Sequence, residues 1–235
     1  MKKELEKINS LLKNYFGIPK LNKRTPNPLD ILIGTILSQN TNDKNSFKAY
    51  QNLKSKISSW DDILKMRTST LESIIKVAGL GKQKANSIKN LIKNLKSVNG
   101  KISLDFLKNA DDDKAIEELT KFKGVGVKTA SCVLLFSMKR NVCPVDTHVH
   151  RILNRIGVVK TNSPDKTYFA IKEFIPGNNG HSLHTNLLRL GREFCLPKNP
   201  KCSLCPLESI CHYSEKNLGK TTLKQKNDFF LLDKI

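Results

Sequence analysis

Four cysteines crowd one short stretch of this chain: Cys195, Cys202, Cys205 and Cys211, in the spacing C-x6-C-x2-C-x5-C. Nothing else in the sequence restricts the fold so tightly. Four thiolates from one loop-rich segment can surround a single metal centre, and the chain around them must then converge on it. A structural zinc also accepts four cysteines. A zinc ribbon, however, pairs two C-x2-C knuckles, and this stretch has one, so the spacing favours an iron–sulfur cluster. Cys132 and Cys143 lie outside the set and read as small buried residues.

The chain has 235 residues, enough for one large domain or two small ones with a real core. Met1-Lys2-Lys3-Glu4 does not open a secretory signal. The longest apolar run, Ile31 to Leu37, is broken by Gly34 and Thr35 and is too short to span a membrane. These features predict an intracellular protein, in the cytoplasm and nucleoid or in a eukaryotic nucleus. In such a reducing compartment, six cysteines are not a disulfide framework. Lys plus Arg is 41 against 21 Asp plus Glu, a formal charge of +20. That excess calls for a polyanionic partner, nucleic acid first. No basic amphipathic helix with a Trp or Phe face points to a membrane surface, so no membrane partner is expected.

Helical periodicity dominates. Leu183, Leu187, Leu190 and Phe194 recur at intervals of three and four, as do Ala130, Val133, Leu134 and Ser137. Alternating strand patterns are scarce, which predicts an all-α fold of roughly ten helices. Thr25-Pro26-Asn27-Pro28 is a linker, because two prolines forbid a continuing helix. A helix over about Leu29 to Ser38 follows, and Asn42 or Asp43 caps the next. Asp111-Asp112-Asp113 reads as a helix start, where the dipole favours acid. Past Tyr213 the chain is Lys-rich, then ends in Phe229-Phe230-Leu231-Leu232, a tail that is either disordered or docked on the body.

Lys121 to Ala130 reads KFKGVGVKTA. A Gly-apolar-Gly hairpin between two helices lets the backbone come close to a phosphate and offer it N–H groups. Gly124, Val125, Gly126 and Thr129 are the candidate contacts; the plain alternative is a helix–turn–helix corner. Gly79-Leu80-Gly81-Lys82-Gln83-Lys84-Ala85 is a weak internal echo of this hairpin. Further on, Pro144-Val145-Asp146-Thr147-His148 sets an aspartate where it can cap a helix, a role that needs no catalysis.

Taken in order, the run Gly124 to Lys128, then Asp146-Thr147-His148, then the four cysteines, resembles the endonuclease III family of helix–hairpin–helix DNA glycosylases. Gly191-Arg192-Glu193-Phe194-Cys195 resembles that family's lead-in to its first cluster ligand, and Leu37-Ser38-Gln39 a segment of its N-terminal half. The resemblance covers about residues 25 to 213. It implies two helical lobes with a cleft between them. Residues 25–140 would form the central lobe with the helix–hairpin–helix motif. Residues 1–24 and 141–213 would form the cluster lobe, and 214–235 a C-terminal tail. It implies that Lys128 is the nucleophile, Asp146 the catalytic carboxylate, and Cys195, Cys202, Cys205 and Cys211 the ligands of a 4Fe–4S cluster. Gln39 would fill the gap left by a flipped nucleotide. Lys198 and Lys201, between the first two cysteines, are further phosphate candidates.

The implied partner is double-stranded DNA holding a damaged or mispaired base or an abasic site, bound by a monomer. The implied reaction is removal of a damaged, oxidised pyrimidine, with an AP lyase step through a lysine Schiff base. Thymine or uracil opposite guanine, 5-methylcytosine, or a dedicated abasic-site lyase are the other substrate readings. A non-enzymatic DNA-binding module is the alternative of another class. Two departures from the family pattern stand out: additional residues around Val98 to Asp113, and the tail beyond Tyr213.

Overall fold

In the computed structural model the described residues are 1–20, 24–220, 222 and 231–235. They form helices and turns, with no strand among them. In chain order the α-helices are α1 (Lys2–Phe16), α2 (Pro28–Ser38), α3 (Asp43–Lys54), α4 (Asp62–Lys65), α5 (Thr68–Ile75), α6 (Gly81–Asn99), α7 (Asp112–Thr120), α8 (Val127–Met138), α9 (Thr147–Ile156), α10 (Pro164–Ile171) and α11 (Gly180–Glu193). Short 3-10 turns at Lys76–Ala78, Cys202–Leu204, Glu208–Ile210 and Leu231–Asp233 matter below. No helix among the described residues is long and apolar enough to cross a membrane. No disulfide joins any of the six cysteines.

The chain separates into two compact units. The first comprises Met1–Leu21 and Arg140–Asn227, the second Asn22–Lys139 and Asp228–Ile235.

The second unit is built around α2. Every residue from Ile31 to Leu37 is buried. A helix that is apolar all round cannot lie on a surface, and α2 accordingly packs against α8, α3 and α6. Pro28 opens it at a position where a missing N–H costs nothing, and the Asn27 side chain accepts from Leu29 N–H. The expected caps form in the same way. Asn42 Oδ1 accepts from Asn45 N–H at 2.9 Å and Asp111 Oδ1 from Lys114 N–H at 2.7 Å. Leu104 and Leu107 are buried and anchor the additional stretch ahead of α7.

Of the apolar Phe229–Leu232 run, residues 229 and 230 lie outside the described residues. Leu231 is buried, and its 3-10 turn packs on α2 and α3. Ile235 reaches Gly34 of α2, where any side chain would occupy its place.

In the first unit α1 packs on α11, and α11 and α10 on α9. The core is Leu5, Ile8 and Leu12 of α1, Val149, Ile152 and Leu153 of α9, and Leu183, Leu187 and Leu190 of α11 with Phe194. Gly191 is needed where α11 meets α9: a Cβ there would come within 2.5 Å of His148 Cβ.

Candidate active site and nucleic-acid interface

Residues 121–126 join α7 to α8. Val125 N–H bonds to Phe122 O, and Gly124 takes φ +90°, a left-handed conformation that suits glycine. A Cβ at Gly124 would also lie 2.8 Å from Ser87 Oγ of α6. Gly126 is the N-cap of α8 and supplies no side-chain cap, so the first N–H groups of a twelve-residue helix face outward unsheathed. That is an anion-binding geometry. The candidate contacts divide accordingly. Gly124 and Gly126 are exposed, while Val125 and Thr129 turn their side chains inward and can offer a phosphate only their backbone. Lys128 lies half-buried in the first turn of α8. Gln39, the C-cap of α2, donates its Nε2 to Gly124 O at 2.9 Å, which ties its turn to the hairpin.

The echo at Gly79–Gly81 has its own geometry. Leu80 is the N-cap of α6 with φ +50°, and it is 49% exposed. A bulky residue held left-handed and in water is costly both in backbone conformation and in hydration. Leu80, Gly81, Lys82, Ser87, Lys123 and Gly124 line one groove of ≈ 830 Å³, so both glycine turns open onto it. Sequence reasoning saw the repeat but not Leu80; a leucine between two glycines was the available signal.

Asp146 lies in the first unit as the N-cap of α9. Its Oδ1 accepts from both His148 N–H and Val149 N–H at 2.9 Å. The carboxylate is half-buried at a helix N-terminus, where negative charge is favoured. His148 beside it is held below the usual imidazole range by burial, against the pull of Asp146.

The four cysteines line one small cavity with Arg155, Phe194 and Tyr213. Burial, reinforced by the neighbouring thiols, pushes Cys205 up to about 12, so a thiolate there requires a compensating cation. Among the described residues no three Cys, His, Asp or Glu side chains converge on one ion position. Lys198 is exposed, while Lys201 donates its Nζ to Thr222 O at 3.0 Å.

Two residues that sequence reasoning missed hold this stretch. Arg151 donates to Cys195 O through Nε at 2.9 Å and Nη2 at 2.6 Å, and to Gly191 O at 3.0 Å. Arg155, one helical turn on, donates to Leu196 O at 2.7 Å and Pro197 O at 3.0 Å, with Nη1 3.5 Å from Cys195 Sγ. Their partners lie about 40 residues away in sequence, so no local signal announced them.

Comparison with known proteins places the chain. The family model described as HhH-GPD superfamily base excision DNA repair protein matches residues 33–177. The endonuclease III of Thermotoga maritima is 34% identical over 210 residues, which cover 89% of this chain and 93% of that protein. The putative DNA glycosylase At3g47830 of Arabidopsis thaliana is 36% identical over 197 residues, 83% of this chain; the chain spans 61% of that relative's length. A solved structure of a trapped endonuclease III–DNA covalent intermediate superposes with a TM-score of 0.76 at 27% identity, over 90% of this chain and 95% of that one. With a family match over more than half of its length and a relative covered almost end to end, the chain belongs to the endonuclease III branch of the HhH-GPD base excision DNA repair superfamily.

Proposed function

We propose that Lys128 and Asp146 are the amine and the carboxylate of this base excision DNA glycosylase and AP lyase, and that its substrate is an oxidised pyrimidine in duplex DNA. The observation that carries the reading is the position of Lys128, one residue into the helix whose bare N-terminus follows the Gly124–Gly126 hairpin. A phosphate gripped by the hairpin brings the adjoining sugar to this amine.

The target base must first leave the stack, at a cost that damage lowers. Gln39 and the exposed Leu80 are the side chains assigned to the duplex. Gln39 fills the vacated position, and Leu80 is an apolar wedge beside it. The neutral Lys128 amine then attacks C1′. The C1′–N bond breaks, and its electron pair leaves with the base, which takes up a proton. Asp146 stabilises the positive charge that builds on the sugar and accepts a proton from Lys128. The aminal so formed carries Nζ and O4′ on C1′; the C1′–O4′ bond then breaks, O4′ takes up a proton, and the opened sugar is left as the Schiff base of Lys128. Removal of a C2′ proton then expels the 3′ phosphate by cleavage of the C3′–O bond, and hydrolysis frees Lys128.

Cys195, Cys202, Cys205 and Cys211 are assigned to a 4Fe–4S cluster. The donor set fits: four half-buried thiols share one cavity. When bound, the cluster ties together a segment of little core; it supplies no step of the reaction.

The test is borohydride trapping on duplexes with thymine glycol or an abasic site. Wild type forms a covalent complex; Lys128→Ala loses it together with strand cleavage while still binding the duplex. Asp146→Asn retains capping and folds, and slows base release on the order of a hundredfold. Trapping by the Lys128→Ala protein would remove that lysine from its role.

A further inference from the structure

Lys84 sits one turn into α6 and is 2% exposed. Among the described residues no other lysine or arginine is buried. An ammonium in such a place is costly, and an apolar side chain of the same length would fill the volume more cheaply. Burial pushes the amine down to about 8. What the position gains is two hydrogen bonds. Nζ donates to Leu37 O at 2.8 Å and to Ala78 O at 2.8 Å.

Those two carbonyls belong to the ends of two helical segments. Leu37 is in the last turn of α2, where two neighbouring carbonyls are already used: Thr35 O by Ser38 Oγ at 2.8 Å and Ile36 O by Gln39 N–H at 3.3 Å. Ala78 closes the 3-10 turn that leads into Gly79. Two residues past Leu37 the chain presents Gln39. Two residues past Ala78 it presents Leu80. One buried cation thus roots both turns, and Gln39 is joined in addition to the hairpin at Gly124 O.

We propose that Lys84 is a positioning residue for lesion recognition: its ammonium locks the Gln39 turn and the Leu80 turn to each other, so that both side chains meet the duplex as one preorganised unit. The inference rests on the assignment of Gln39 and Leu80 to the duplex made above. A residue that merely stabilised the fold would lower all DNA binding together. A positioning residue lowers the discrimination that the two side chains provide and leaves the hairpin's phosphate grip in place.

The experiment compares affinity for a duplex carrying a tetrahydrofuran abasic analogue with affinity for the undamaged duplex. Lys84→Met is made in the wild-type chain and in a Gln39→Ala, Leu80→Ala background. The expected result is a loss of discrimination of about tenfold in the first and less than about twofold in the second, because coupled sites are not additive. Equal losses in both backgrounds, or an equal loss on undamaged DNA, would overturn the inference alone. If Gln39→Ala, Leu80→Ala leaves discrimination intact, the assignment of those side chains falls, and the inference with it.

A measurement on the unmodified protein covers a Lys84→Met chain that does not fold. In ¹⁵N-lysine-labelled protein the buried ammonium gives a slowly exchanging Nζ resonance. The abasic duplex shifts this resonance and the undamaged duplex does not; equal shifts with both would refute the coupling.

Discussion

The helix that carries Lys128 and the stretch that carries the cysteines are ordered by different means. α8 lies against α2 with Ala130, Val133 and Leu134 fully buried between them and their neighbours. From Cys195 to Lys220, by contrast, Pro200 and Leu207 are the buried apolar residues and most of the order is polar. Arg151 and Arg155 grip carbonyls of Gly191 to Pro197, Cys202 N–H bonds to Asn217 O, and Ser203 Oγ to Gly219 O. A hydrophobic core stabilises in proportion to area and tolerates the loss of any one polar contact. A segment without one depends on each cross-link, and the cluster proposed for its cysteines would be the strongest of them.

Cys205→Ser should break this contrast open most widely. Structural metal centres contribute about 10 kcal/mol or more to the segments they hold, so with the proposed cluster lost, residues 195–220 should lose their order as the protein bleaches. Hydrogen exchange reads the outcome: amides of the cysteine stretch lose protection while those of α2 and α8 keep theirs. Parallel collapse of both would erase the distinction.

Leu134→Ala tests the other side. It empties a fully buried site in the second unit and should cost about 2–5 kcal/mol in denaturant unfolding. Iron content should remain at about four per chain. Loss of iron in this variant would show that the two forms of order are not independent.

Arg151→Met sharpens the comparison by the smallest step. It leaves the Cys195 and Gly191 carbonyls without their shared donor, at about 1–3 kcal/mol. Iron should pass to a chelator faster than in wild type, with the unfolding of α2 and α8 unchanged. Equal chelation rates would mean that the cysteines hold the loop unaided.

What the sequence made legible was local. Caps at Asn42, Asp111 and Asp146 could be read because a short polar side chain and the N–H it serves are two or three residues apart. The Gly124–Gly126 turn and the cysteine spacing are equally self-contained. Lys84, Arg151 and Arg155 were illegible for one shared reason: each serves carbonyls that become its partners only when distant helices end beside it. In a chain with 41 basic residues, a lysine bound for the interior looks like any other. The Lys201 bond to Thr222 O had the same opacity, since the loop containing it reads as a basic surface.

The docking of Leu231 and Ile235 on α2 and α3 has a consequence for how the protein is made. All the helices of the second unit are synthesised by Met138, yet the residues that cover Gly34 follow only after every helix of the first unit has been translated. At roughly 5–20 residues per second, the nascent second unit waits several seconds or more for its final apolar cover. During that interval the α2–α3 face is bare on the ribosome. It is there, rather than in the finished enzyme, that a chaperone would find something to hold.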